Sequence, residues 1–131
     1  MAKEKEMMKG ISAAILFCLT FYSCATTAQN HMVRLAKLEI DSAQLENYKT
    51  FLKEEIETSV KVEAGVLTLY AVFEKEHPTR VTILEIYADT TAYKSHIQTP
   101  HFLKYKNGTL NMVKSLQLIA VDPLIPKKKI K

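Results

Sequence analysis

Apolar and polar positions alternate along MVRLAKLEI, residues 32–40, the period of a strand with one buried face. After Asp41 or Ser42, either of which can cap a helix, the period changes. Leu45, Tyr48, Phe51 (or Leu52) and Ile56 recur at helical spacing between lysines and glutamates, predicting a helix over about 43–60. Gly65 ends that region. VLTLYAVFEK, 66–75, and TRVTILEIYA, 79–88, read as two more strands, and the turn EHPT joins them into a hairpin. Asp89 or Thr90 caps a short helix carrying Tyr93 and Ile97. A second helical piece runs from Pro100 to about Lys114, with a break expected near Asn107-Gly108. SLQLIAVDP, 115–123, is the last strand, and Pro123 and Pro126 end regular structure.

The order β-α-β-β-α-β defines an α+β, ferredoxin-like fold, a four-stranded antiparallel sheet with helices on one face. On the second strand, Leu67, Leu69, Ala71 and Phe73 point one way and Val66, Thr68, Tyr70 and Val72 the other. On the third, Val81, Ile83, Glu85 and Tyr87 oppose Leu84, Ile86 and Ala88. Both sheet faces are substantially apolar, and helices on one side cannot bury both. The pattern therefore predicts a homodimer packed sheet to sheet, a dimeric α/β barrel.

Composition places one domain in the 131 residues and sets the first 28 apart from it. Lys3, Lys5 and Lys9 precede an apolar run from Ile11 to Tyr22, followed by small residues, the layout of a secretory signal peptide. The run is too short for a transmembrane helix. Glu4 and Glu6 are unusual in a leader, which points to a start at Met7 or Met8. Two processing routes fit: cleavage before Gln29, or lipidation of Cys24 as in a bacterial lipoprotein. The expected location is exported, periplasmic or secreted, with a membrane anchor only on the second route. Cys18 lies within the leader, so the mature domain has no cysteine pair and must be stable without a disulfide. From Gln29 to Pro126 there are 11 basic and 12 acidic residues, so the net charge of +4 comes from the leader and the basic tail, 123–131. Nothing resembles the aromatic–basic stripe of a nucleic-acid binder. Only Gly10, Gly65 and Gly108 are present, so no phosphate loop exists.

Candidate chemistry concentrates in AYKSHIQTPHF, 92–102. Thr99 suits an N-cap and Pro100 a first helical position. His101 then sits in the first turn, where the positive end of the backbone dipole disfavours imidazolium. It is the first candidate for a base, and Tyr105 shares its helical face. His96 follows Tyr93 by three and lies on the same face. Glu85 interrupts an apolar strand face and needs a partner there or a proton. Tyr70 and Tyr87 are candidates for a pocket or a dimer core. His96, His101 and Glu85 have no recognised metal-binding spacing, so no metal is expected. His31 and His77 read as bystanders.

Glu63-Ala64-Gly65 before the second strand, Glu85-Ile86-Tyr87 within the third, and His96 with Thr99-Pro100-His101-Phe102 after it resemble the antibiotic biosynthesis monooxygenase family, in particular its small quinol-monooxygenase-like members. The resemblance spans about residues 32–122, most of a domain expected over 29–122. It implies a dimeric α+β barrel with a pocket between sheet and helices in each protomer. It also implies oxidation of phenols or hydroquinones by O₂ without metal or flavin. The chain has no tryptophan, which the haem-degrading branch uses in its pocket, and Ala64 stands where many members have proline. The resulting expectation is an exported, cofactor-independent monooxygenase for a small aromatic or quinol. His101, His96 and Glu85 would be its catalytic groups, and Tyr70, Tyr87 and Tyr105 its substrate-binding ones. The alternative is a non-catalytic dimeric module that binds a small ligand, haem included.

Overall fold

The computed structural model describes residues 30–125. The expected leader, its cleavage or lipidation at Cys24, and the end of the lysine tail lie outside the described residues. Four strands, β1 (Met32–Ile40), β2 (Val66–Phe73), β3 (Arg80–Tyr87) and β4 (Val113–Ala120), form one antiparallel sheet in the order β2-β3-β1-β4. Three helices, α1 (Leu45–Val62), α2 (Thr90–His96) and α3 (Pro100–Gly108), complete the ferredoxin-like order expected from the sequence. Among the described residues no helix is long and apolar enough to cross a membrane.

Polar caps set the helix starts. Asp41 accepts from the Ala43 amide at 3.0 Å and opens a single 3-10 turn ahead of α1. Asp89 does the same for α2 through Ala92, and Thr99 for α3 through Phe102. The core lies between one sheet face and α1. Ala36, Leu38 and Ile40 of β1 and Val81 and Ile83 of β3 pack against Tyr48 and Leu52. Each large apolar side chain so buried contributes roughly 1.5–3 kcal/mol.

Two sequence expectations need correction. Strict alternation along β2 fails because the register against β3 shifts between Val66 and Thr68. Both Val66 and Leu69 are consequently buried while Leu67 is exposed, the usual effect of an extra residue in one strand. The helix from Pro100 ends at Gly108, where a break was expected, and does not resume. Residues 109–112 are a turn, and β4 begins two residues early.

Gly65 serves close approach. A Cβ built on it would lie 2.6 Å from the Ala92 Cβ, because α2 rests directly on the start of β2. Gly65→Ala should cost about 1–3 kcal/mol of stability as α2 is pushed outward. Urea unfolding measures this, and adding Ala92→Gly should return part of the loss. An unchanged midpoint for the single variant would show that α2 is free to shift.

Candidate active site

A cavity of about 500 Å³ opens between the helix-covered face of the sheet and the helices. Its apolar wall is built from Ala36, Leu38, Leu52, Leu69, Ile83, Phe102, Leu116 and Leu118. Its polar wall combines Arg34, Glu55, Glu85, Tyr87, Tyr93 and His96, with Tyr105 of α3 and Thr109 just after it. A mostly apolar cavity of this size with few convergent polar groups is the usual form of a small-ligand site.

Strand register builds the first polar group. Arg34 of β1 stands directly opposite Glu85 of β3. Its Nε and Nη2 donate to Glu85 Oε2 at 2.9 and 2.5 Å, and its Nη1 donates to the Tyr93 hydroxyl at 3.0 Å. The guanidinium carbon lies 4.5 Å from the centre of the Tyr93 ring. Tyr87 donates to the same Glu85 oxygen at 3.1 Å. Burial, together with the neighbouring Glu85 charge, holds the Tyr87 phenol well above its ordinary range. Glu85 can lie on an apolar face because Arg34, on the adjacent strand, pairs with it there.

The second group is built at a chain corner. Thr99 turns the chain between α2 and α3, its amide and hydroxyl donating to the His96 carbonyl at 3.0 and 2.7 Å. This folds His101 back beside His96, ring centres 6.4 Å apart. Glu63, at the C-terminal cap of α1, reaches both: its Oε1 lies 3.0 Å from His96 Nδ1 and 2.5 Å from His101 Nε2. Glu55 approaches the other side of the His96 ring, Oε1 to Nε2 at 3.5 Å, and accepts from Ser59 Oγ at 2.8 Å. The buried His96 therefore has a carboxyl group facing each ring nitrogen. Burial raises the Glu55 pKa above its ordinary value, outweighing the hydrogen bond from Ser59. Burial also pushes Glu63 upward, but its hydrogen bonds with His101 and His96 prevail and hold it below the ordinary value.

His96, Glu85, Tyr87 and Tyr105 thus meet at the cavity. The Tyr105 hydroxyl is 2.8 Å from that of Tyr48, and burial pushes its pKa up to about 12. His101 does not form the cavity wall; its ring turns behind His96 to Glu63. Tyr70 is not brought to the cavity. It pairs with Leu84 on the uncovered sheet face and is 65% exposed. Sequence reasoning missed Arg34 and Glu55 as site residues. Arg34 follows the parity of Ala36 and Leu38, and Glu55 falls with Tyr48, Leu52 and Ser59 on one helical stripe, so both signals were present in the spacing.

The fold and cavity define a ferredoxin-like domain with a helix-roofed cavity. A model of the family described as antibiotic biosynthesis monooxygenase matches residues 32–108. A crystal structure from Bacteroides thetaiotaomicron, provisionally named an antibiotic biosynthesis monooxygenase, is 63% identical. Its alignment covers 79% of this chain and 99% of that one, with a TM-score of 0.77. A provisionally named monooxygenase from Lactobacillus acidophilus is 29% identical, with a TM-score of 0.67 over 72% of this chain. The match spans 51% of that longer chain. A Nitrosomonas europaea protein, 18% identical over 76% of this chain and 96% of its own, shares the fold with a TM-score of 0.70. No match is found among the curated proteins. The chain belongs to the antibiotic biosynthesis monooxygenase family.

The depressed Glu63 carboxyl makes a pH prediction. A carboxyl held below its unfolded value, about 4.3, stabilises the fold fully above that value. The contribution is lost as pH falls through the lower folded value. Glu63→Gln lacks it, so the stability gap between wild type and variant should be wide at neutral pH and close below about pH 4. Urea unfolding across pH 3–7 measures this, and a constant gap would contradict it.

Proposed function

We propose that this domain oxidises a small phenol or hydroquinone with O₂ inside the cavity, without a flavin, as an exported homodimer. The observation that carries the reading is the make-up of the cavity: an apolar chamber onto which Arg34, Glu55, Glu85 and His96 converge. In such a reaction the substrate's own anion supplies electrons to O₂. For a phenol, one oxygen atom enters the ring to give a quinone and the other leaves as water. The protein removes the phenolic proton, holds the anion and keeps water out.

His96 and Glu55 are the groups suited to proton removal, since both line the cavity and face one another. Arg34 is suited to hold the phenolate. Three of its five N–H groups are engaged by Glu85 and Tyr93, which leaves two for an oxyanion. His101 acts behind His96, through Glu63. Tyr87 and Phe102 flank the His96 ring, centres 5.3 and 5.0 Å away, and fix its orientation.

A second reading has its own support. Among the described residues no buried side-chain N or O lacks a hydrogen-bond partner. A cavity in which each buried polar atom already has a partner also suits a module that binds an apolar ligand without chemistry, haem included. Oxygen consumption with a panel of phenols and hydroquinones separates the two. Turnover that falls at least 100-fold in His96→Ala, a typical loss for a general base, supports the enzyme. Absence of turnover with a Soret band appearing on haem addition supports the module.

The homodimer is supported by the uncovered sheet face, where Leu35, Leu84, Ile86, Tyr70 and Val72 present contiguous apolar surface by register. Light scattering on the mature protein should give twice the chain mass at micromolar concentration. A monomer would remove that part of the proposal. Intact mass spectrometry of the same native material should show a chain beginning at Gln29, or a lipidated Cys24; an uncleaved chain would remove the exported address.

A further inference from the structure

We propose that Glu63, His96 and His101 form a binding site for one first-row divalent cation, of the zinc, iron(II) or cobalt(II) class, at the corner where α1, α2 and α3 meet. The inference does not rest on the proposed reaction. It joins a different carboxylate to the two histidines from the one the sequence suggested, because Glu85 is engaged by Arg34 while Glu63 lies between the rings.

Three observations carry it. First, the three donor atoms lie within 4.8 Å of one another, Glu63 from the cap of α1, His96 from α2 and His101 from α3. Two imidazoles and one carboxylate are a donor set matched to these cations. Second, the spacing approaches that of ligands about a shared ion. Donors about 2.1 Å from a tetrahedral ion are about 3.4 Å apart. His96 Nδ1 and Glu63 Oε1, at 3.0 Å, would part by about 0.4 Å on binding, and His101 Nε2 and Glu63 Oε1, at 2.5 Å, by about 0.9 Å. Third, a carboxylate stands close to the outer nitrogen of one of the two histidines. A ligating imidazole usually presents its other ring N–H to a carboxylate. With Nδ1 on the cation, His96 Nε2 faces Glu55 Oε1 at 3.5 Å.

The corner is also reachable. The His101 and Glu63 side chains retain 16% and 13% exposure, against 3% for His96. A cation would approach from the His101 side, with His96 as the inner ligand. Three protein ligands leave positions for water, the open form of site. Neither His31 nor His77 is part of the cluster.

The test uses the mature protein without a histidine tag, treated with chelator and then dialysed against ZnCl₂ or CoCl₂. One equivalent should bind per chain, and cobalt should give visible ligand-field absorption. Glu63→Gln and His101→Ala should each weaken binding at least tenfold, and Glu55→Gln, acting through His96, tenfold or somewhat more. His31→Ala with His77→Ala should leave affinity unchanged. Circular dichroism checks that each variant is folded; His101→Asn, at a partly exposed position, replaces His101→Ala if that variant is not. Failure to bind stoichiometrically, or binding removed only by the His31 and His77 changes, would overturn the proposal. The trio would then be a proton-sharing cluster only. Either outcome leaves the oxygen-consumption assay free to decide the reaction separately.

Discussion

Removing a charge from water costs several kcal/mol unless the charge meets a partner. This domain places several ionisable groups together in a small helix–sheet interface. Arg34, Glu55, Glu85 and His96 all lie there, and each faces another of the group or a hydroxyl. The arrangement of the elements follows from that requirement. The β1–β3 register must place position 34 against 85. The α2–α3 corner must bring His96 within reach of Glu63. A slip of one residue in the sheet would move one of Arg34 and Glu85 to the uncovered face and leave the other buried without its partner. Register in the centre of the sheet is therefore constrained by a buried charge pair as well as by apolar packing.

The same requirement explains why the cavity has a polar side. Hydrogen bonds run from Tyr93 through Arg34 and Glu85 to Tyr87. The Tyr87 ring then touches His96, which begins a second series through Glu63 to His101. The two series meet at one aromatic contact. Packing that holds the Tyr87 ring thus sets the relation between the cationic side of the cavity and its imidazole. Gly65 contributes from a distance, by letting α2 lie close enough for the contact to form.

Much of the fold was legible in the sequence because its signals are local. The β1 alternation gave the strand's limits, and Asp89 and Thr99 marked helix starts with the capping geometry later observed. The β2 bulge was not legible, since Val66 and Leu67 are both apolar and periodicity alone does not choose which turns inward. The end of α3 was signalled by Asn107-Gly108, but Met112 and Val113 kept an apolar rhythm that a turn also satisfies. The candidate site was legible in part. His96, Glu85, Tyr87 and Tyr105 were marked, yet which carboxylate meets which histidine depends on contacts between α1 and the α2–α3 corner, far apart in sequence. Tyr70 was placed by residue type, while its parity put it on the other sheet face.

The apolar end of the cavity has a different character from the polar end. Leu116 and Leu118 belong to an edge strand, point toward the cavity by register with Leu38 and Ala36, and remain half exposed. Substitutions there change the dimensions of the chamber without disturbing a single buried charge. The domain therefore separates two variables, with the polar wall locked by mutual dependence and the mouth free to vary. Replacements at these two edge-strand positions alter the size and hydrophobicity of the cavity mouth while every paired group beneath keeps its partner.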